Sequence, residues 1–164
     1  MYEFKQINQE NFKLFHDFMN DYYRDGEDSD TAQDKIDGFI KKLFDLIQEK
    51  SMFGVLAYSD DIFIGIAIWM KDTIDHDFSV IPGYGTIAEI GIIPSMRKKG
   101  LGCVLVEYAE KELLRLDIKG IYVIAYGAAL NFWQKLGYIE NGQVASNGLT
   151  ILVKNLEKNK LQFI

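Results

Sequence analysis

The sequence predicts an α/β fold: a mixed central sheet with helices on both faces. Segments that alternate in twos or run apolar throughout interleave with segments of 3.6-residue periodicity. Read in turn they give the order β-α-α-β-β-β-α-β-α-β-β, in which a helix separates the fourth strand from the fifth and the fifth from the sixth. Only two prolines occur, Pro82 and Pro94, and no Gly/Ser/Pro-rich linker or internal repeat divides the chain. A single domain over residues 1–164 is expected.

The elements follow in order. Tyr2–Ile7 alternates as a short strand, and Asn8 is placed to cap a helix whose apolar stripe is Phe12, Phe15, Phe18, Met19 and Tyr22. An acidic, turn-rich break, Arg24-Asp25-Gly26-Glu27-Asp28-Ser29-Asp30, precedes a second helix. Thr31 is its candidate cap, and Ile36, Phe39, Ile40, Leu43 and Ile47 form its buried face. Met52–Tyr58 and Ile62–Met70 read as a hairpin around Ser59-Asp60-Asp61. The second of these strands is apolar on both faces and should be interior. Thr86–Ile93 is a strand stopped by Pro94, and Gly100–Leu116 is a helix with Leu101, Val104, Leu105, Tyr108, Ala109 and Leu113 turned inward. Gly120–Ala125 is strand, Ala128–Leu136 helix, Gly137 its terminating glycine, and Tyr138–Val144 and Leu149–Leu156 the closing strands.

Composition narrows the function. Apolar residues make up 48% and charged residues 26%, a soluble globular balance, and the formal net charge is −6. An acidic chain is a poor nucleic-acid coat, which needs a basic face to displace phosphate counterions, so no nucleic-acid partner is expected. The single cysteine, Cys103, cannot form an internal disulfide. No apolar leader begins the chain, and the longest apolar run, Ile62–Met70, is too short to span a bilayer. The expectation is a cytoplasmic protein with no membrane partner, acting as monomer or homodimer.

The segment with the most chemistry is Ile92-Ile93-Pro94-Ser95-Met96-Arg97-Lys98-Lys99-Gly100-Leu101-Gly102, between a strand and an amphipathic helix. Unpaired amide N–H groups at a helix start, with the positive end of its dipole, make an anion site. Glycines let backbone approach a phosphate closely, and Arg97, Lys98 and Lys99 add positive charge. This is neither a P-loop, which needs G-x-x-x-x-G-K-[ST], nor a dinucleotide fingerprint, whose third small residue is here Leu105. In isolation the hexapeptide is equally a tight turn with solvated lysines.

Arg97-x-x-Gly100-x-Gly102 resembles the [RQ]-x-x-G-x-[GA] pyrophosphate loop of GNAT-superfamily N-acetyltransferases, and Pro94 precedes the arginine at a spacing common there. Ala129-Leu130-Asn131-Phe132-Trp133-Gln134-Lys135-Leu136-Gly137-Tyr138 is similar to that family's A-x-x-F-[YW]-x-K-L-G-[FY] segment. Both motifs fall on the elements such a fold requires, and the whole element order is GNAT-like. The resemblance implies an N-acetyltransferase that moves an acetyl group from acetyl-CoA to a primary amine by direct attack in a ternary complex. Its alternative is an acyl-CoA-binding sensor or interaction module without turnover.

By the same resemblance, backbone groups of Ile92 and Ile93 would pair with the pantetheine amides. The amides of Lys98, Lys99, Gly100, Leu101, Gly102 and Cys103, with Arg97, would cradle the pyrophosphate, and Asn131, Trp133 and Lys135 would line the CoA tail. Phe132 and Leu136 are expected to be helix core, and Cys103 a small core residue. The tyrosine that many members use to protonate the leaving thiolate is here Trp133, whose indole N–H cannot give up its proton. Tyr126, Tyr138, Tyr84 or water could serve instead, and Tyr126 is favoured because it follows a strand end. Glu89 is the candidate base, directly or through water, as the acid on the strand leading into the loop; a buried structural ion pair is its other reading. It lies an odd number of residues before Ile92, so alternation points the two side chains to opposite faces. His16 and His76 are isolated and no metal is expected. Finally Asp17, Asp21, Asp25, Glu27, Asp28, Asp30, Asp34 and Asp37 face only Arg24 and Lys35, an acidic lip suited to a cationic acceptor or simply a solvated charge run.

Overall fold

The structure is a computed structural model that describes residues 1–26, 30–75, 77 and 79–156. Its strands and helices run β1 (Tyr2–Gln6), α1 (Phe12–Arg24), α2 (Gln33–Gln48), β2 (Phe53–Ser59), β3 (Ile62–Lys71), β4 (Gly85–Ile92), α3 (Leu101–Leu114), β5 (Gly120–Ala125), α4 (Gly127–Lys135), β6 (Ile139–Val144) and β7 (Thr150–Asn155). This is the element order that the periodicities predict. The strands form one sheet in the order β1-β2-β3-β4-β5-β7-β6. The final strand is therefore inserted inside β6, which the chain order alone does not foretell. The chain divides into two compact units, Met1–Ile68 with Glu89–Leu105, and Trp69–Ala88 with Val106–Ile164.

In the first unit, β1 pairs antiparallel with β2, from Tyr2↔Ser59 to Gln6↔Val55. Asn8 caps as expected, but what it starts is a 3-10 turn, Gln9–Asn11, that runs on into α1. Its side chain accepts from the Glu10 and Asn11 amides at 2.9 and 3.3 Å, and the Asn11 side chain accepts from the Asn8 amide at 2.9 Å. α1 buries Phe15, Phe18, Met19 and Tyr23, so the stripe ends on Tyr23 and leaves Tyr22 half-buried. α2 buries Ile36, Ile40, Leu43, Phe44 and Ile47, and Phe39, expected inside, is exposed. Thr31 is not the cap: Ala32 occupies that position without a side-chain bond, and the Thr31 carbonyl instead accepts from Arg24 Nη1 at 2.7 Å. The two helices are joined by Phe12 against Phe44, 4.6 Å between centroids, and by a His16 Nε2–Asp37 Oδ1 contact of 3.0 Å. The β2–β3 hairpin turns on Asp60 and Asp61, at φ 48 and 64°, both left-handed as a two-residue type I′ turn requires.

In the second unit, β5 pairs antiparallel with β7 along its whole length, from Gly120↔Asn155 to Ala125↔Thr150. On its other side it pairs parallel with β4 at Gly85↔Ile121 and Thr86↔Tyr122. The later residues of α3 contribute Val106, Ala109 and Leu113 to the core, and Glu107 and Lys111 make the expected i,i+4 pair on the wet side at 3.0 Å. Gly137, at φ 91°, ends α4. β6 is exposed throughout, as an edge strand paired only to β7 can be.

The residue after β3 is a buried acid that the apolar pattern hides. Asp72 is fully buried, and its Oδ2 accepts from the Val80 and Ile81 amides and the Tyr122 hydroxyl, each at 2.8 Å. Burial works against its charge, but the Val80 amide, the Tyr122 hydroxyl and the Ile81 amide outweigh it and hold the carboxyl below its usual range. Burial and this carboxylate together push the Tyr122 hydroxyl well above its ordinary range.

Candidate active site

β4 delivers the chain into the loop. The Ile93 amide donates to the Ile64 carbonyl at 3.0 Å, and Pro94 then opens a single 3-10 turn, Pro94–Met96, closed by the Met96 amide on Ile93 O at 3.0 Å. Proline suits this place because its fixed φ matches the turn and its missing N–H would have no partner. Arg97 folds back over the turn, its Nε donating to Ile92 O at 3.0 Å. Lys98 and Gly100 then take left-handed conformations, φ 62 and 78°, and α3 begins at Leu101, anchored by the buried Leu101 and Leu105.

Two consequences suit this loop to an anion. Among the described residues the amides of Lys98, Lys99 and Gly100 make no backbone hydrogen bond, and the first turn of α3 adds amides that no intrahelical carbonyl can reach. The Cys103 amide is an exception, donating to Gly100 O at 3.1 Å. A Cβ added at Gly100 would meet nothing within 4 Å, so the space above the loop is open, and Arg97, Lys98 and Lys99 are exposed around it. Unsatisfied donors, a helix dipole and three cations fit a pyrophosphate. Cys103 is exposed, not a core residue, because Leu101 and Leu105 take the buried positions at this helix start.

Glu89 is half-buried on β4, and its Oε1 accepts from the Tyr23 hydroxyl of α1 at 2.8 Å. Gly91, two residues on, faces the same helix: a Cβ there would lie 2.8 Å from the Phe18 ring and 3.2 Å from the Tyr22 ring. Alternation therefore holds over Glu89–Gly91 and turns Glu89 toward α1. Tyr23 is the partner that sequence reasoning missed. Its signal was the Tyr22-Tyr23 pair at the end of a helix, where a one-residue change in the buried stripe exchanges their roles.

In the second unit Tyr126 caps α4 by position and is 39% exposed at the end of β5. The other two tyrosines considered as acids each donate to a side chain. Tyr138 is buried and donates to Glu110 Oε1 at 2.8 Å, and burial with that carboxylate pushes its hydroxyl far above the ordinary range. Tyr84 donates to Asn155 Oδ1 at 3.0 Å. On α4, Asn131 and Lys135 are exposed. Trp133 is the buried member, edge-on to Phe132 and Tyr138 at 5.1 Å each, whereas Phe132 and Leu136, expected as core, are half-exposed.

On the acidic segment Asp21, Asp25, Asp30 and Asp34 are exposed, and among the described residues they make no ion pair. Asp17 is held below its usual range by its bond from Lys13, and Asp37 by bonds from Gln33 and His16. Glu27, Asp28 and His76 lie outside the described residues. Among those described, no three His, Cys, Asp or Glu side chains are grouped to hold a metal, and no helix is long and apolar enough to cross a membrane.

A sequence model of the acetyltransferase (GNAT) family matches residues 11–138, and the chain belongs to that family. It is an acetyl-CoA-dependent acyltransferase, with acetyl-CoA as the acyl donor. No curated protein matches it in sequence. Among solved structures it is similar to the aminoglycoside acetyltransferase AAC(6')-Ib in complex with coenzyme A, at TM-score 0.75 and 16% identity over 98% of this chain and 99% of that one. It is similar also to the PaiA N-acetyltransferase of Thermoplasma acidophilum in complex with coenzyme A, at 0.70 and 14% over 94% and 99%. Mutant forms of the spermidine/spermine N-acetyltransferase SpeG from Vibrio cholerae give 0.67 and 13% over 100% of both chains. At these identities the likeness establishes the fold.

Proposed function

We propose that the protein transfers the acetyl group of acetyl-CoA to a cationic primary amine by direct attack, within one domain spanning the chain. The observation that carries the reading is the loop Arg97–Cys103, where unpartnered amides and exposed cations surround open space above Gly100. Arg97 and the amides of Lys98 to Gly102 hold the pyrophosphate, and Cys103 closes the helix turn beneath it. The carbonyls of Ile92 and Ile93 already accept from Arg97 and Met96, and each retains a second lone pair for a pantetheine amide. Asn131 and Lys135 are the exposed residues of α4 assigned to the CoA tail, with Trp133 packed behind them.

The acceptor arrives as an ammonium, since an alkylamine titrates near ~10.4. Glu89 takes one proton, directly or through a water, and the amine nitrogen then bonds to the thioester carbonyl carbon as the carbon–sulfur bond breaks. Two protons leave the nitrogen overall: one reaches solvent by way of Glu89, and the other replaces the proton that Tyr126 gives to the departing thiolate. The exposed Asp21, Asp25, Asp30 and Asp34 raise the local concentration of cationic acceptor. The test is thiol release from acetyl-CoA with a panel of primary amines. Amine-dependent release supports the reading, and release that no amine accelerates overturns it. Binding alone gives a second check: at a hundredfold excess over Kd, CoA should stabilise the fold by roughly 2.7 kcal/mol.

A further inference from the structure

The rings around Glu89 do more than pack. The Tyr23 ring, whose hydroxyl holds Glu89, is flanked edge-on by Tyr22 at 5.5 Å and 66° and by Phe39 at 5.5 Å and 63°. Tyr22 can lie against β4 because Gly91 has no side chain; an alanine there would press on Phe18 and Tyr22. Phe39 is 38% exposed, while its neighbours on that face of α2, Ile36, Ile40 and Leu43, are buried. A core residue would have turned inward with them. The result is a half-buried carboxylate bonded to a buried tyrosine, with a half-buried Tyr22 and an exposed Phe39 packed against that ring.

We infer that Tyr22, Tyr23 and Phe39 are specificity-determining residues that select, as acceptor, a primary amine carried on an aromatic or bulky apolar body. The inference rests on Glu89 being the acceptor-side base, as proposed above. An ammonium is drawn to the carboxylate and to the negative faces of the rings, and the hydrocarbon behind it covers Tyr22 and Phe39. A chain with several separated charges has no apolar body to lay on Phe39 and gains only the first of these contacts. A short alkylamine likewise lacks the body.

The experiment compares kcat/KM for phenethylamine, propylamine and spermidine in the wild type, Phe39→Ala, Phe39→Leu and Gly91→Ala. In the wild type phenethylamine should exceed propylamine by roughly tenfold or more, since an apolar contact of this size moves specificity by 10–200-fold. Phe39→Ala should remove most of that preference, leave propylamine within about twofold and leave CoA affinity unchanged. Phe39→Leu should keep part of it, because area survives and the π face does not. Gly91→Ala should lower phenethylamine turnover more than propylamine turnover, and Phe39, being exposed, serves as the variant that folds if Gly91→Ala does not. Equal use of phenethylamine and propylamine by the wild type, or an equal loss on every amine in Phe39→Ala, overturns the inference and leaves acyl transfer intact. No turnover with any of the three amines overturns the amine reading and this inference with it.

Discussion

Asp72 and Glu89 each accept a tyrosine hydroxyl at 2.8 Å, and they are built for different ends. Asp72 is fully buried, and a single oxygen takes two amides besides Tyr122. Its charge is held by donors that are themselves fixed by backbone, so it staples the segment after β3 and is held below its usual range. Glu89 is half-buried, bonded to Tyr23, and set among rings with an exposed edge at Phe39. A carboxylate that holds two amides and a hydroxyl on one oxygen and is sealed from water is structural, because no solvent reaches it to exchange a proton. A carboxylate bonded to a tyrosine hydroxyl and half-exposed can accept a proton and pass it on. The same hydrogen bond thus serves stability in one place and orientation in the other.

Removing Asp72 should produce the largest effect and should fall on stability. Asp72→Ala leaves two amides and a hydroxyl without an acceptor and should cost about 3 kcal/mol in urea unfolding. Asp72→Asn keeps an oxygen for those donors and should cost about 1 kcal/mol, the loss of charge assistance. A folded-state carboxyl held low contributes stability that is complete above its unfolded value of ~3.9 and fades only as pH falls through the lower folded value. The gap between wild type and Asp72→Asn should therefore be constant from neutral pH down to the ordinary carboxylate range and close below it.

Glu89→Gln should do the reverse, leaving unfolding nearly unchanged while kcat drops by roughly a hundredfold and the acidic limb of the pH–rate profile disappears. CoA affinity should survive. Next in size, Tyr126→Phe should lower kcat by roughly tenfold, as expected for a single proton donor that solvent can partly replace. Full activity in this variant would assign the thiolate's proton to water. Replacing Asp25, Asp30 and Asp34 with Ser should have the smallest effect, a kcat/KM for a cationic amine lower by roughly twofold at low salt and converging on wild type as salt screens the field. Equal kinetics at all salt concentrations would make these acids mere surface.

What could be read from sequence follows the same division. The loop is legible because its chemistry is local backbone: Pro94, Gly100 and Gly102 mark a turn and a helix start, and Arg97 to Lys99 supply charge at fixed spacing. Asn8 and the Asp60-Asp61 turn are legible for the same reason. Positions decided by tertiary packing are not. A 3-10 turn before α1 brings Tyr23 into the core in place of Tyr22, and α2 buries Phe44 while Phe39 points out. Trp133 reads from the motif as a cleft residue, yet a large ring next to Tyr138 is the one α4 buries. Asp72 follows a long apolar strand and carries no local sign that two amides from further along the chain will reach it.

The central claim, an amine-directed transferase whose donor sits on the Arg97–Cys103 loop, is tested most directly by thiol release from acetyl-CoA in the wild type and in Gly100→Glu. Gly100→Ala is the companion variant, since it carries the same left-handed strain at φ 78° without a charge. The wild type should release thiol in an amine-dependent, saturable way. Gly100→Glu should lose both that release and the stabilisation by CoA, because its carboxylate enters the open space meant for phosphate, while Gly100→Ala retains a measurable part of each. Undiminished amine-dependent release in Gly100→Glu would contradict the account.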